Sequence, residues 1–579
     1  MTPFANSWAC ALLALAFTLP THACDGQAQT ISAIQGSGRS SPQIGERVTV
    51  NGVITYDGRG PGGLGGFFLQ QPGHQSDQHP GSRALFVYTR RTAGQPGQRV
   101  QVTGTVAEYY GLTELTQVEQ VSVCGPGQLP PPVTVQLPLS DDQREALEGM
   151  RITLNHPLEV ISLDHLADYG SVTLAPGQQP TPTQILPPGP DAQALARRQE
   201  QQRLILDDGS HQRGPTPTPY PEGGLSMDNS LRAGSRVTQL DGILDYRYQQ
   251  WRLQPLTTPS FEASNPRPAP PERATTTNLR LLTLNLANYF NGDQGDYRTS
   301  RGARNPDQWR RQTQRLAATI HQSQADVLAA SELENDGYGA SSAIAALAQA
   351  LGGDWRYVVP ADQDSNDAIS VGLLYRSSRV QTVGPALRPS PQQWSGLGRR
   401  PLMQQFQARA SGQSVRIAVV HFKSKRCQHA QGADRDQDDG QGCFAHRRRR
   451  QAEALVSWLN NAVPERLAGT LITGDLNSYA REWPLENLRA AGFVDLLNQH
   501  SGSLQSASTY RYQGRQGTLD YSLANGLLTP SVVAAHVWAI NADEPRALSY
   551  KDAHSNAATT VSVPWRSSDH DPLITDFQL

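Results

Sequence analysis

LITGDLNSYA (471–480) sets an apolar run directly against a polar one. Leu471, Ile472 and Thr473 read as the end of a buried strand, yet Gly474, Asp475 and Asn477 follow at once. Asp475 and Asn477 stand two apart, so on an extended chain both side chains face the same way. One reading is a turn, because Asp and Asn hydrogen-bond nearby backbone. The other is an active site at the end of a sheet strand. The sequence around this stretch decides between them.

Working outward, LAGTLITGDL (467–476) is one of a series of strand-like runs. LRLLTLNL (279–286), ADVLAASEL (325–333), ISVGLLYR (369–376) and SVRIAVVHF (414–422) are others, short and rich in β-branched or aliphatic residues. Helical patterns separate them. Asn305 as cap and Pro306 in the first turn open a helix with Trp309, Leu316 and Ile320 on one face. SSAIAALAQAL (341–351) is a second helix, and Gln451 to Asn460 a third. Alternating strands and helices from residue 278 onward imply an α/β sandwich of two sheets, or one wound sheet.

Polar residues recur where these strands end. LTLNLANYF carries Asn285, DVLAASELEN carries Glu332 and Glu334, and AVVHFKSK carries His421. Asp520 interrupts the apolar run GTLDYSLA, and SSDHDPLITDF (567–577) sets Asp569, His570 and Asp571 before a last strand. Each alone is a capped end, a satisfied core histidine or a solvated acid. Together in one domain they read as a site.

The ordered set NLANYF, SELEN, HFKSK, GDLNS, LDYSL and SSDHDP resembles the endonuclease/exonuclease/phosphatase superfamily, over residues 278–579. The resemblance implies a two-sheet sandwich of the deoxyribonuclease-like type and a set of roles. Glu332 matches the metal-binding glutamate, with Glu334 set aside, and Asn285 matches the asparagine that places metal or phosphate. Asp475 and Asn477 match the GD-x-N pair, Asn477 also as a phosphate contact. His570 matches the essential histidine, Asp520 its orienting carboxylate, and Asp569 a residue near the metal. His421 matches a second histidine that donates to a phosphate oxygen, and Arg399 in GRRPL a phosphate-contacting arginine. The implied cofactor is an oxygen-liganded divalent cation: Mg²⁺, or Mn²⁺ or Ca²⁺.

The first half reads differently. GERVTVNG (45–52), GQRVQVTG (97–104) and GSRVTQLDG (234–242) echo one another as strands between glycine turns. Short strands with glycine-rich turns suggest small barrels. CDGQAQTISAIQGSG (24–38) and LEGMRITL (147–154) resemble the OB-like module of secreted bacterial nucleases in the same superfamily. RLILDDG (203–209) and GILDYRYQQWRLQP (242–255) form a second β unit. SNPRPAPPERATTT (264–277), poor in apolar residues, reads as a linker. The expected organisation is a signal peptide at 1–23, a β-rich nucleic-acid-binding region at 24–262, a linker at 263–277 and a catalytic domain at 278–579.

Composition narrows the class. The chain has 579 residues and a net charge of −2, so any grip on a polyanion is local rather than global. ACALLALAFTLP (9–20), followed by THA, reads as a signal sequence although no Lys or Arg precedes it. No later run reaches the length of a membrane span. Without Cys10, four cysteines remain, and chain neighbourhood favours Cys24 with Cys124 and Cys427 with Cys443. HRRRR (446–450) either pairs with the nearby acidic loop DRDQDDG (434–440) or receives phosphates. The expected protein is a secreted, extracellular or periplasmic, metal-dependent nuclease acting on DNA, with RNA as a further substrate, without stable membrane association. Its alternatives are a sphingomyelinase-like phosphodiesterase on lipid head groups and a non-catalytic nucleic-acid-binding protein.

Overall fold

The protein is described by a computed structural model. It describes residues 24, 27–73, 81–292, 297, 301–362, 367–462, 469–502, 508–552 and 563–579. The expected signal peptide 1–23 lies outside them.

After residue 278 all the described strands but Tyr510–Tyr512 and Arg515–Gly517 form two six-stranded sheets. The first runs Trp355–Tyr357, Ile369–Arg376, Val327–Glu334, Leu279–Tyr289, Leu573–Phe577, Val532–Val537. The second runs Val380–Leu387, Leu402–Ala408, Ser414–His421, Gly469–Asp475, Asp520–Asn525, Phe493–Asp495. Alternation along each strand makes them face each other. Leu279 and Leu281 pack with Phe406, Ile417 and Leu471 of the second sheet. Leu282, Leu284 and Leu286, at the intervening positions, pack with Leu316, Ile320 and Leu347 on the helices Pro306–Gln322 and Ala343–Leu351. On the far side, Ala418, Val420 and Ile472 pack against the helices Ala445–Ala462 and Trp483–Ala490. The order is helix, sheet, sheet, helix, which selects two sheets over one wound sheet. Asn305 caps the first of these helices by accepting from the Gln308 amide. The helix expected from Gln451 begins six positions earlier at Ala445, so the HRRRR run lies inside it.

The interior between the sheets changes character along the strands. Inward positions pass from Leu281 to Thr283 to Asn285 on one sheet, and from Leu471 to Thr473 to Asp475 on the other. At the middle level Thr283 hydrogen-bonds Thr473, and Thr473 and Thr575 both reach Ser522. A hydroxyl layer thus separates an apolar core from a polar end of the same interior.

Before residue 256 the chain is β-rich. Arg47–Asp57, Gly66–Gln70, Ala84–Tyr88, Leu112–Pro126 and Gln98–Tyr109 pair in that order, and the last returns to the first, closing a five-stranded ring. Val50, Phe67, Leu85, Val102 and Leu115 fill it. Strands between Val133 and Pro255 form an eight-stranded sheet containing the apolar arms of RLILDDG and GILDYRYQQWRLQP. Its core includes Ala547 and Leu548 from the other half. Segment 263–277 holds no helix or strand, as its prolines predict, but it is not a loose linker. Arg267 binds Glu544, the Trp538 indole donates to the Pro268 carbonyl, and Arg273 binds Asp326. The Pro268 carbonyl, kept out of a ladder, is thus satisfied by a side chain from beyond residue 278. Cys24 is bonded to Cys124 and Cys427 to Cys443, the expected pairing. Among the described residues no helix is long and apolar enough to cross a membrane.

Candidate active site

Register assembles one wall of the site. In the second sheet His421 lies opposite Asp475, and Asp475 opposite Asp520. Three inward side chains therefore stand in a row across three neighbouring strands. Gly474 makes this approach possible: its φ is +126°, and a Cβ there would fall 2.1 Å from the Val420 carbonyl oxygen. Asn477, at φ 47°, turns back so that its amide donates to Asp475 Oδ1 at 2.8 Å. Its side chain donates to the Phe422 carbonyl at 3.2 Å. The turn reading of LITGDLNSYA holds, and that turn borders the row of His421, Asp475 and Asp520.

The first sheet supplies the facing wall through two bulges. Pairing slips between Asn285 and Tyr289 on one strand, and between Ala330 and Leu333 on its neighbour. Ala287, Asn288 and Glu332 take positive φ there. Val327, Ala329 and Ser331 are inward, so strict alternation would send Glu332 outward; the bulge re-aims it. Asn288 donates to Glu332 Oε2 at 2.6 Å, and Asn285 reaches across the sheets to Asp475 Oδ2 at 3.2 Å. Glu334 instead accepts from the Asn291 amide at 3.1 Å.

The segment before the last strand closes the site. Ser568 donates to the Asn285 carbonyl at 2.6 Å, fixing the chain beside Asp569. His570 Nδ1 lies 2.7 Å from Asp520 Oδ2, and the Tyr510 ring packs on the imidazole with centroids 4.5 Å apart. Asn541 donates to the His570 carbonyl at 2.7 Å.

The electrostatics follow from burial and crowding. Burial, then the charge of Asp569, raises the Glu332 carboxyl above the usual range. Burial, with Asp520 adding to it against the pull of His570, pushes Asp475 up to about 7. For His570, burial acts downward, but the charge and hydrogen bond of Asp520, with Asp475 and Asp569, hold its proton well above the ordinary value. Burial, then Arg399 and His570, drives His421 well below it, so that ring is neutral. His421 Nε2 lies 3.6 Å from Asp475 Oδ2, and its Nδ1 has no hydrogen-bond partner among the described residues.

Asp475, Asp520 and His570 each bring a ligating atom within 4.8 Å of the others. The His570 Nδ1 is already engaged by Asp520, which suits proton handling better than metal ligation. Glu332, Asp569 and Asn285 offer oxygen donors, and the two carboxylates lie near enough for Asp569 to raise Glu332; such a set fits a hard divalent cation rather than a soft one.

Arg399 lies beside His421. It donates to the carbonyls of His421 at 3.3 Å and Phe422 at 2.7 Å and pairs with Asp367 at 2.9 Å. Neighbouring Arg400 is buried and pairs with Asp362. In the HRRRR run, Arg447 pairs with Asp434, Arg449 with Glu453, and buried Arg448 donates to the carbonyls of Gln441 and Cys443. These three serve the acidic loop and their own helix.

Sequence reasoning passed over Asn288, Ser568, Tyr510 and Asn541. Asn288 had a signal, standing three residues after Asn285 in NLANYF. Tyr510 had none, because it meets His570 only through the fold.

The family model described as "Endonuclease/Exonuclease/phosphatase family" matches residues 282–570, a span running from just before Asn285 to His570. No curated protein matches the chain. Similar solved structures include the human Nocturnin catalytic domain with bound sulfate, at 16% identity and TM-score 0.32, covering 53% of this chain and 96% of that one. An endonuclease/exonuclease/phosphatase from Bacteroides vulgatus has 14% identity and TM-score 0.35, covering 52% and 98%. D. rerio TDP2 complexed with single-strand DNA product has 14% identity and TM-score 0.33, covering 52% and 98%.

Proposed function

Residues 282–570 form a domain of the endonuclease/exonuclease/phosphatase superfamily, and from that premise we propose that the protein is a metal-dependent phosphodiesterase that cuts DNA, with RNA as a second substrate, outside the cytoplasm. The observation that carries this reading is the 2.7 Å His570–Asp520 pair set against Asp475, with Glu332 and Asp569 near enough for their charges to act on it.

A phosphodiester resists water through its negative charge. Glu332 and Asp569, with Asn285 beside them, would hold the cation, which supplies charge neutralisation at the phosphate. Asp520 fixes the His570 ring through Nδ1 and leaves Nε2 to carry the transferred proton. Asp475, held by the Asn477 amide and the Asn285 side chain, orients the attacking water. Neutral His421 donates one N–H to a phosphate oxygen, and Arg399 and Asn477 border the same rim.

The β-rich half supports a nucleic-acid substrate. A five-stranded ring in this order is consistent with an OB-like module. Tyr109, Tyr110 and Tyr248 are 58%, 73% and 65% exposed, and tyrosine rings in such positions stack on bases. The two disulfides favour an oxidising compartment.

Incubating the purified protein with supercoiled and linear DNA, with and without EDTA, tests the reading. Cleavage abolished by EDTA and restored by Mg²⁺, Mn²⁺ or Ca²⁺ is the expected result. Full activity in excess EDTA removes the metal, and cleavage of sphingomyelin but not DNA removes the nuclease.

A further inference from the structure

The β-rich half reaches into the catalytic half at one place. The strand Gln179–Pro180 pairs with Arg515–Gly517, extending the hairpin that also carries Tyr510. A short helix, Pro182–Ile185, follows and inserts between two loops of the catalytic domain. Its Thr183 accepts from the Arg481 amide at 2.9 Å and donates to Glu482 at 2.8 Å.

Gln184 is 1% exposed and bridges the two loops. Its Oε1 accepts from the Thr518 amide at 3.1 Å and from the Ala480 amide at 3.4 Å. Its Nε2 donates to Thr518 Oγ1 at 3.4 Å. Thr518 stands two residues before Asp520, and Ala480 three residues after Asn477. On the catalytic side, Tyr521 OH makes a parallel tie, donating to the carbonyls of Ser478 at 3.0 Å and Thr518 at 2.8 Å. The same two loops are thus held from both sides, once by their own domain and once by the β-rich half.

Resting on the phosphodiesterase reading above, we propose that Gln184 is a positioning residue: it sets the spacing between the loop that carries Asn477 and the loop that leads to Asp520. The β-rich half is then part of the catalytic apparatus, not only a handle for substrate. Gln184 touches no reacting atom. It acts through Asp520, whose partner His570 must keep its orientation for proton transfer, and small displacements of such groups lower turnover steeply.

The test uses the full chain with Gln184→Met, which keeps the volume and removes the bridge, and Gln184→Glu, which keeps acceptor oxygens for both amides. In Gln184→Met, kcat should fall about 10- to 100-fold with KM for DNA within about twofold. Gln184→Glu should recover most of the loss. Hydrogen exchange at the Ala480 and Thr518 amides should be slow in the wild type, faster in Gln184→Met, and restored in Gln184→Glu, while protection elsewhere is unchanged. Unchanged kcat, a change confined to KM, or protection lost throughout the molecule would each overturn the proposal. If the wild type cleaves no phosphodiester, the functional reading fails, and the exchange measurement still decides whether Gln184 ties the loops.

Discussion

His570 and His421 are two buried imidazoles of one site in opposite protonation states. The difference comes from partners: Asp520 bonds the first directly, whereas Asp475 lies 3.6 Å from the second. His570→Ala should therefore reduce turnover by at least about 10²-fold, the low end for a positioned acid–base group, with DNA affinity little changed. Asp520→Asn should fall less, because the imidazole remains. Steady-state cleavage by these variants beside His421→Ala checks the ranking; a severe His421→Ala with a mild His570→Ala reverses the assignment. A second effect at this scale concerns stability. Glu148 is buried in the β-rich half, and burial raises its carboxyl well above the usual range. Mainly through burial, Glu114 and Glu145 are pushed up to about 7. A raised folded-state value means that stability is fully present below the unfolded value of 4.5 and is lost as pH rises through the folded one. Thermal unfolding should show the wild type losing Tm from pH 5 to pH 8, and Glu148→Gln losing less.

At the scale of elements, the interior's apolar-to-polar gradient was legible because alternation puts Leu471, Thr473 and Asp475 on one face. His421, Asp475 and Asp520 could each be picked out from strand runs, although their lateral register could not. What stayed hidden depends on broken periodicity. The bulge that turns Glu332 inward has no signature in SELEN, and the hairpin carrying Tyr510 is defined by what packs on it. For segment 263–277, composition shows the lack of a ladder but not the Trp538 and Arg280 side chains that satisfy the carbonyls of Pro268, Pro271 and Glu272. Gly474 offers a direct test. Gly474→Ala places a methyl against the Val420 carbonyl in a backbone conformation that disfavours a side chain, and should cost at least about 2 kcal/mol. Urea denaturation measures it; a loss under 0.5 kcal/mol, in the range of ordinary surface changes, would show that the strands have room to separate. The loop between Cys427 and Cys443 gives another. Non-reducing peptide mapping should recover the two as one linked pair, and free thiols in protein purified without reductant would contradict it.

Across the whole molecule the two halves share structure rather than meeting at a thin boundary. Ala547 and Leu548 belong to the core of the eight-stranded sheet, and Arg232 and Arg267 both pair with buried Glu544. Separating the halves would expose that apolar surface and strand a buried carboxylate, so calorimetry should record a single unfolding transition. Two well-resolved transitions would mean that the contacts do not couple the halves. The strand Leu573–Phe577 lies between Leu279–Tyr289 and Val532–Val537, although nearly three hundred positions separate it from the first of these. An interior place in the first sheet is therefore filled by a late piece of chain, and His570 arrives immediately ahead of it. Contacts of such long range form slowly. A nascent chain that has emerged only as far as Asn525 already holds Glu332, His421, Asp475 and Asp520 but lacks His570 and the strand behind it, so no shortened chain brings the Asp520–His570 pair together.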